Sequence, residues 1–417
     1  MVADPIATER DLWRIWESQA IPASLTTRDG RSLRVLFPGV PNTAPGPDFK
    51  GALLAFDGRP AIRGDVEVHL QASSWEGHGH HLDRKYDNVA LHVVLFDDGG
   101  PARTSTGAII PVLALGPILA MHEPDAVRHA KPGPCYGPHR SHGSVQGLRE
   151  ILRRAGSQRF DERSDLWEAE LAARQIEDCV LLALLRCIGL GRNQDACAAL
   201  AQVLDGRTLD VVLYAAGTRA NVAATAILLG MGGLIEEAHA DEEVRETWSG
   251  YKHYWAGRPL DARQWQRFRL RPANLPENRL RIVATILARH GLAGLLDYLV
   301  SLLGTNPPAA TSTLVAVLTP PGLLSGRAWA LEAWANVLLP FLTAFGRHVA
   351  NDRLVAAAAQ RYAALPGGGS NSKLQRMTNI AGMAAPPHEA IEQQGLLHVW
   401  ARYCSLQNCG ECPLAIG

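Results

Sequence analysis

The pattern of apolar and polar positions along the chain changes near residue 120. Before it, short alternating runs separated by turn signals such as Asp29-Gly30 predict strands. A short amphipathic helix that Thr8 can cap precedes them. The predicted helix spans residues 9–20, and the predicted strands span residues 25–27, 32–37, 50–56, 63–70, 88–96 and 107–115. Strand 88–96 is apolar on both faces, which predicts a central position in the sheet.

After a Pro/Gly/His-rich stretch, apolar residues recur at helical spacing and predict a mostly helical region. The predicted helices span residues 145–155, 164–190, 195–203, 218–229, 276–290, 292–303, 327–345, 355–364 and 387–402. The fold prediction is therefore an α+β amino-terminal domain, with a helix and a mixed sheet, followed by a mostly α-helical domain. The predicted limits are 1–125 for the α/β domain, 126–143 for a linker, 144–402 for the helical domain and 403–417 for a cysteine-rich tail.

Composition excludes several classes. The chain has 417 residues with 47% hydrophobic positions, and its 41 basic residues equal its 41 acidic ones. A disordered chain and a polybasic nucleic-acid arm are thereby excluded, whereas a local basic face is not. We find neither a signal-peptide pattern nor an uninterrupted apolar run long enough to span a membrane, so we expect a cytoplasmic protein without membrane contact.

The first candidate chemistry lies in a predicted hairpin. Residues two apart share a face of a strand, so Glu67 and His69 point the same way. A tight turn over residues 57–60 places Asp48 opposite His69 and close to Glu67. Converging carboxylates call for a divalent cation or a shared proton. The alternative is that Pro47-Asp48 is only a turn and that the polar positions form a solvated face.

A histidine-rich stretch follows this hairpin. Five of the fifteen histidines fall within residues 69–92. Imidazoles in a polar, glycine-rich loop can bind a transition metal or act as acid/base groups, which makes His78, His80 and His81 further candidates. Taken singly, each of these histidines can equally have a structural hydrogen-bonding role.

The carboxyl end carries three cysteines within nine residues, Cys404, Cys409 and Cys412. The Cys-x2-Cys turn suits two thiolates on one metal, and Cys135 in the preceding linker is a candidate fourth ligand. An iron-sulfur cluster and zinc are competing ions, and free thiols are the alternative. The other three cysteines of the chain lie on apolar helical stretches and are interpreted as core residues.

Residues 252–289 contain nine Lys/Arg against two acidic residues, a local net charge of +7 (9 − 2). Aromatic side chains are interleaved with them, and such a stretch can hold phosphates and stack on bases. The nucleic-acid-binding candidates are Arg267, Arg269, Arg271 and Arg279. The alternative is an ordinary solvated face with core aromatics.

Several segments resemble an uncharacterised bacterial family of unknown function, DUF family 2851. They include GPDFKGALL, GDVEVHLQASSW and HGHHLDRKYDNVALHVV in the first half, and GLGRN, RLRPANLP, NVLLP, QQG and the terminal Tyr403-Cys404 further along. The resemblance covers essentially the whole chain and implies no activity by itself.

A looser resemblance connects the hairpin with the PD-(D/E)xK nuclease core, of restriction-endonuclease-like fold. It implies that Asp48 and Glu67 bind Mg²⁺ or Mn²⁺ and that Glu9 matches an acidic residue on the first helix. His69 stands where that pattern has lysine, and Lys85 is a candidate substitute for the missing amine. One cysteine upstream and three at the carboxyl end also resemble the iron-sulfur staple of some RecB-like nucleases.

The leading hypothesis is a metal-dependent phosphodiesterase, a nuclease that acts on DNA or RNA. The first alternative is a non-catalytic nucleic-acid-binding or scaffold protein on a degenerate nuclease fold. The second is a zinc hydrolase of a non-nucleic substrate that uses the histidine cluster.

Overall fold

The computed structural model of the chain describes residues 8–19, 21–22, 24–42, 45–120, 145–189, 191–236, 238–267, 270–305, 309–369, 371–405 and 411–416. The chain forms two compact units. The first, the sheet unit, comprises Met1–Arg140, Asn379–Met383 and Tyr403–Gly417, and the second, the helical unit, comprises Ser141–Thr378 and Ala384–Arg402.

A mixed sheet of seven strands forms the centre of the sheet unit. Its order is β1-β2-β4-β5-β6-β7, with β3 paired to β4. Pairing is antiparallel from β1 to β5 and parallel from β5 through β6 to β7. The strands are β1 Leu25–Thr26, β2 Ser32–Phe37, β3 Val40–Pro41, β4 Phe49–Phe56, β5 Ile62–Gln71, β6 Val89–Phe96 and β7 Val112–Ala114.

One face of this sheet packs against helix α1, Glu9–Ser18, whose first turn is capped by the Thr8 side chain. Leu12 and Trp16 on α1 are fully buried and belong to one core cluster with Phe49 and Leu91 of the strands. The amphipathic stripe of the sequence thus predicts the buried face of the helix correctly. Strand β6 is hydrogen-bonded on both edges, which confirms its predicted central position.

The connection from β5 to the parallel strand β6 runs through short helical turns. It contains the one-turn helix α2, Ser74–Gly77, and 3-10 turns at His80–Leu82 and Arg84–Tyr86. Helix α3, Gly116–Ala120, follows β7. This β5–β6 crossover carries the histidine-rich stretch of the sequence.

The helical unit is built almost entirely from α-helices. Its helices within the described residues are α4 Val145–Ala173, α5 Ile176–Ile188, α6 Gln194–Val203, α7 Gly206–Ala216, α8 Ala220–Met231, α9 Glu242–Tyr251, α10 Pro276–Gly304, α11 Thr311–Leu318, α12 Arg327–Ala333, α13 Leu339–His348, α14 Asp352–Ala363 and α16 Ala390–Val399. Helices α15, Ser372–Ile380, and α17, Pro413–Ile416, complete the chain, and π-helical turns lie at Trp334–Leu338 and Trp400–Cys404. A mostly helical second region is therefore confirmed.

Helix α4 is one element where the sequence predicts a short helix that ends near residue 155. Gly156, which interrupts the apolar pattern, lies in its interior against α16. A Cβ atom at Gly156 would stand 2.1 Å from the Ile391 carbonyl oxygen. The glycine is therefore a close-packing residue rather than a helix end.

Three helical stretches are long and apolar enough to cross a membrane by length and composition alone, namely Gly206–Met231, Pro276–Gly304 and Arg327–His348. The first is interrupted by a 3-10 turn at Gly217–Arg219, and the second has non-helical backbone angles at Gly291. All three contribute buried residues to the main core of the helical unit. Their apolar character is thus used in packing.

Candidate metal centre

Strand β5 places Asp65, Glu67 and His69 on one face of the sheet, as the alternation predicts. They are only 3%, 5% and 1% exposed. The alternative interpretation, a solvated polar face, is therefore wrong for this strand. Ionisable groups buried at this level need specific partners.

Asp48, just before β4, lies beside Glu67. Its backbone N–H donates to Glu67 Oε2 at 2.8 Å, and the Val68 N–H donates to Asp48 Oδ2 at 3.2 Å. The predicted partner of Asp48 was His69, two residues further along β5. The observed pairing differs from the predicted register by two residues. One residue of the shift is already present at the pair nearest the turn, Leu54–Ile62, and a bulge after Phe49 adds the other.

Gly51 makes this bulge possible. Its backbone adopts φ +64°, a conformation that L side chains rarely adopt. The freed Gly51 N–H donates to Asp65 Oδ1 at 2.9 Å, and Lys50 Nζ lies 2.8 Å from Asp65 Oδ2. The buried Asp65 carboxylate is thereby satisfied within the strand pair.

Four potential ligand atoms lie close together, one from Glu67 and one from each of three histidine rings. His69 Nε2 lies 3.2 Å from His78 Nδ1 and 3.3 Å from His80 Nε2. Glu67 Oε1 lies 3.5 Å from His69 Nε2 and 3.3 Å from His80 Nε2. The three imidazoles have ligand atoms that all lie within 4.8 Å of one another. Strand β5 and the first part of the β5–β6 crossover supply this whole set.

These separations match a metal coordination shell. Ligands at about 2.0–2.1 Å from a tetrahedral ion stand roughly 3.3 Å apart. A single ring nitrogen forms one in-plane hydrogen bond, yet His69 Nε2 has three polar atoms within 3.5 Å. A cation between the three imidazoles would satisfy their ring nitrogens at once, and Glu67 Oε1 lies beside two of them. His78 is exposed whereas His69 and His80 are buried, so the site is open on one side.

Both carboxyls of the site titrate abnormally. Burial raises the pKa of Asp48 to about 7, and the neighbouring Glu67 adds to the effect. Burial raises the pKa of Glu67 to about 8, with a contribution from Glu9. Without a cation, the folded protein therefore holds protons on these carboxyls near neutral pH.

The imidazoles shift the other way. Burial lowers the pKa of His69 to about 2 and the pKa of His92 to about 3, and it also lowers the pKa of His80. The rings are thus neutral near pH 7, which is the form that binds metal ions. Trp75, fully buried, has its ring against those of His80 and His92 and keeps this side of the site dry.

His92 on β6 orients His69. Its Nε2 lies 2.9 Å from His69 Nδ1. With the proton on Nδ1, His69 donates to His92 and keeps its Nε2 lone pair for an ion. The parallel register pairs Glu67 with His92, and no local sequence pattern reveals that pairing. Lys50 was also missed, although its position two residues after Asp48 places it on the same face of β4.

The other candidates of the sheet unit lie apart from the four donors. Glu9 is exposed on α1, within electrostatic reach of Asp48, Glu67 and His80. Lys85 is exposed and lies 3.8 Å from Asp83 Oδ2. His81 is half-buried and stands outside the cluster.

Half of the predicted cysteine cluster lies within the described residues. Cys404 is half-buried and Cys412 is 2% exposed. Cys135 and Cys409 lie outside the described residues, so the cysteine-bound metal stays a prediction. Cys179, Cys187 and Cys197 are buried in the helical core, as expected.

The predicted nucleic-acid-binding arginines differ in exposure. Arg271 is exposed, Arg267 forms a two-pronged ion pair with the buried Glu277, and Arg269 lies outside the described residues. Arg279 is only 6% exposed, so it does not belong to an open basic face. The sequence analysis missed this burial, because a local net charge does not show that Arg279 lies on the inward face of helix α10.

Comparison with known proteins gives one match. No curated protein and no solved structure matches the chain. The model of a family described as a protein of unknown function, DUF2851, matches residues 9–305, a range that contains every donor of the candidate metal centre. On this match, the chain belongs to the DUF2851 family.

Proposed function

We propose that the chain is a metal-dependent phosphodiesterase that acts on nucleic acid. The observation that carries the proposal is the convergence of Glu67 with three imidazoles, next to the second buried carboxyl of Asp48. Abnormal pKa values of several groups at one site are typical of catalytic centres.

The arrangement of the sheet unit supports the nuclease assignment. Helix α1 precedes an antiparallel strand pair in which Asp48 enters β4 and Glu67 lies on β5, and β6 then runs parallel to β5. The PD-(D/E)xK core has this order of elements. Glu9 on α1 raises the pKa of both carboxyls, which supports its comparison with the acidic residue of the first helix in that core.

The donor set favours a transition-metal ion over magnesium. Mg²⁺ prefers oxygen ligands, whereas imidazole nitrogens suit Zn²⁺, Fe²⁺, Ni²⁺ and Cu²⁺. Glu67, His69, His78 and His80 would hold the ion. Such an ion lowers the pKa of a bound water and offsets charge on a phosphate.

Asp48 is the candidate general base. Its pKa of about 7 permits it to accept a proton near neutral pH, and the Val68 N–H holds its carboxyl in place. Lys50 lies on the same face of β4 as Asp48 and offers a positive charge there. It could take the role of the lysine of the nuclease pattern, because His69 occupies that position in this chain. Lys85 stays the alternative source of that charge.

The second candidate function is a zinc hydrolase of a non-nucleic substrate. The three imidazoles favour it, because three protein ligands and an open fourth position are typical of catalytic zinc. A third possibility is a nucleic-acid-binding protein without catalysis. It predicts binding that weakens with salt and is indifferent to the Asp48 carboxyl.

The test measures cleavage of fluorescent single- and double-stranded DNA and RNA, and of a small aryl phosphodiester. Chelator-treated protein is reloaded with Mg²⁺, Mn²⁺ or Zn²⁺. We expect metal-dependent cleavage that falls about 1,000-fold or more in each of the variants Asp48→Asn, Glu67→Gln and His80→Gln. The first variant loses the general base, and each of the other two loses a metal ligand.

The matched control is His81→Gln, which changes the neighbouring histidine outside the cluster and should keep the activity. Cleavage that survives Glu67→Gln, or no metal-dependent cleavage of any phosphodiester, contradicts the proposal. Metal-dependent hydrolysis of carboxylic esters or amides alone would select the zinc hydrolase.

A further inference from the structure

A cleft of about 370 Å³ lies in the helical unit and belongs to no site described above. Its volume falls in the range of small-molecule sites. It is walled by parts of α10 and α12 and by the loops before α6 and α10. The lining includes Arg192, Asn274, Arg279, Trp329, Glu332 and Gly369.

Arg279 is the unusual member of this lining. Its Nη2 donates to Asn274 Oδ1 at 2.5 Å, and its Cζ lies 4.1 Å from the centre of the Trp329 ring. Trp329 is itself fixed, because its Nε1 donates to the Cys187 carbonyl at 3.0 Å. The guanidinium therefore has a defined plane and position.

Its other terminal nitrogen, Nη1, is buried without a hydrogen-bond partner among the described residues. Burial lowers the pKa of Arg279 to about 10, and no carboxylate opposes that effect. By contrast, Arg267 on the same stretch has both prongs on Glu277, at 2.9 and 2.8 Å. A buried cation without an anion is costly unless a ligand supplies one.

We propose that this cleft binds a small oxyanion, a phosphate or carboxylate group, against the Nη1 edge of Arg279. The stack on Trp329 fixes the plane of the guanidinium, which favours a planar, hydrogen-bonded contact with two oxygens. Half-buried Glu332 lines the same cleft, and burial raises its pKa. A ligand that also carries a hydrogen-bond donor therefore fits better than a bare anion.

The test is calorimetric titration of the chelator-treated full chain with inorganic phosphate and, separately, with succinate. Chelation prevents an ion in the sheet unit from binding the phosphate, and sodium chloride keeps the ionic strength constant. We expect saturable binding of at least one of the two anions. The anion that binds more tightly identifies the group as a phosphate or a carboxylate.

Two variants decide the role of Arg279. Arg279→Lys keeps the charge but loses the fork, and should weaken binding about 10-fold or more. Arg279→Met removes a buried, unpaired charge with little change of volume. It should abolish binding while the chain unfolds at an equal or higher temperature, whereas a purely structural arginine would lower that temperature.

Arg271→Met is the matched control, because Arg271 belongs to the same basic stretch but is exposed. It should bind as the unmodified protein does. No binding of either anion by the unmodified protein, or an equal loss in the Arg271 and Arg279 variants, overturns the proposal.

Discussion

Two buried carboxylates, one in each unit, are treated in opposite ways. Glu392 in helix α16 is fully buried, and the Nε atoms of Arg149 and Arg153 each lie 3.2 Å from its Oε1. These are charge contacts, since their angles do not satisfy a hydrogen bond. Glu67 is buried to a similar degree but faces Asp48 and three imidazoles instead of arginines.

The surroundings of Glu392 and Glu67 indicate different roles for the two carboxylates. Glu392 has its counter-ions within the protein, so its charge is part of helix packing. The Glu67 site combines two carboxyls of raised pKa with neutral imidazoles, and Lys50 is paired with Asp65. Such a site is stable at neutral pH either with protons or with a cation from solution.

The largest expected effect is stabilisation by an ion. Zn²⁺ at about 1,000 times its dissociation constant should raise the free energy of unfolding of the chelator-treated protein by about 4 kcal/mol. Glu67→Gln should remove this gain, because it deletes a charged ligand, and Glu392→Gln should keep it. Thermal unfolding with and without Zn²⁺ measures the effect. Equal stabilisation of both variants would erase the contrast between the two carboxylates.

A smaller effect is expected in the metal-free protein. Glu392→Gln should lower the free energy of unfolding by about 2 kcal/mol, because Arg149 and Arg153 lose their anion but are still half-exposed. Glu67→Gln should leave it unchanged or raise it, because the neutral amide avoids the cost of a buried charge. Urea unfolding at pH 8 compares the two. A loss in the Glu67 variant as large as in the Glu392 variant speaks against an unpaired Glu67.

The smallest effect is a pH dependence of the metal-free protein. The folded-state pKa values of Asp48 and Glu67 are raised, so the stability they contribute is present at low pH and is lost as pH rises through about 7 and 8. His69 and His92 have lowered pKa values and act in the opposite sense, but only below about pH 6.5.

Between pH 7.5 and 8.5, the free energy of unfolding should therefore fall by on the order of 1 kcal/mol. Urea unfolding at several pH values in the presence of a chelator measures this slope. The double variant Asp48→Asn with Glu67→Gln should flatten it. A slope that persists in that variant assigns the pH dependence to other groups.

The sheet unit was largely predictable from the sequence, because period-two alternation and turn residues report directly on strands. Strand β2 agrees to the residue, and β4 to β6 differ from their predicted limits by at most one residue at either end. The register of Asp48 was wrong by two residues: one arises at the turn, where Leu54 pairs with Ile62, and the other from the bulge, which depends on one backbone conformation at Gly51. Parallel pairing, which brings His92 to His69, depends on tertiary structure and leaves no local pattern.

The helical unit was predicted as a class but not in its details. Helix α9 was missed because most of its positions are polar, and α7 was missed because it begins with Gly206 directly after the capping Asp205. The Arg279 cleft could not be predicted from the sequence either, because a count of charges shows where arginines lie along the chain but not which of them are buried. Burial of a single guanidinium is decided by packing between distant helices.

The β5–β6 crossover has a consequence for how the centre assembles. All four donor atoms, from Glu67 to His80, come from one continuous stretch, residues 67–80. The loops that an ion would close are therefore short, and closing them costs little chain entropy. During synthesis, this stretch leaves the ribosome long before the helical unit is complete. An ion bound by this stretch would thus be captured before the helical unit folds.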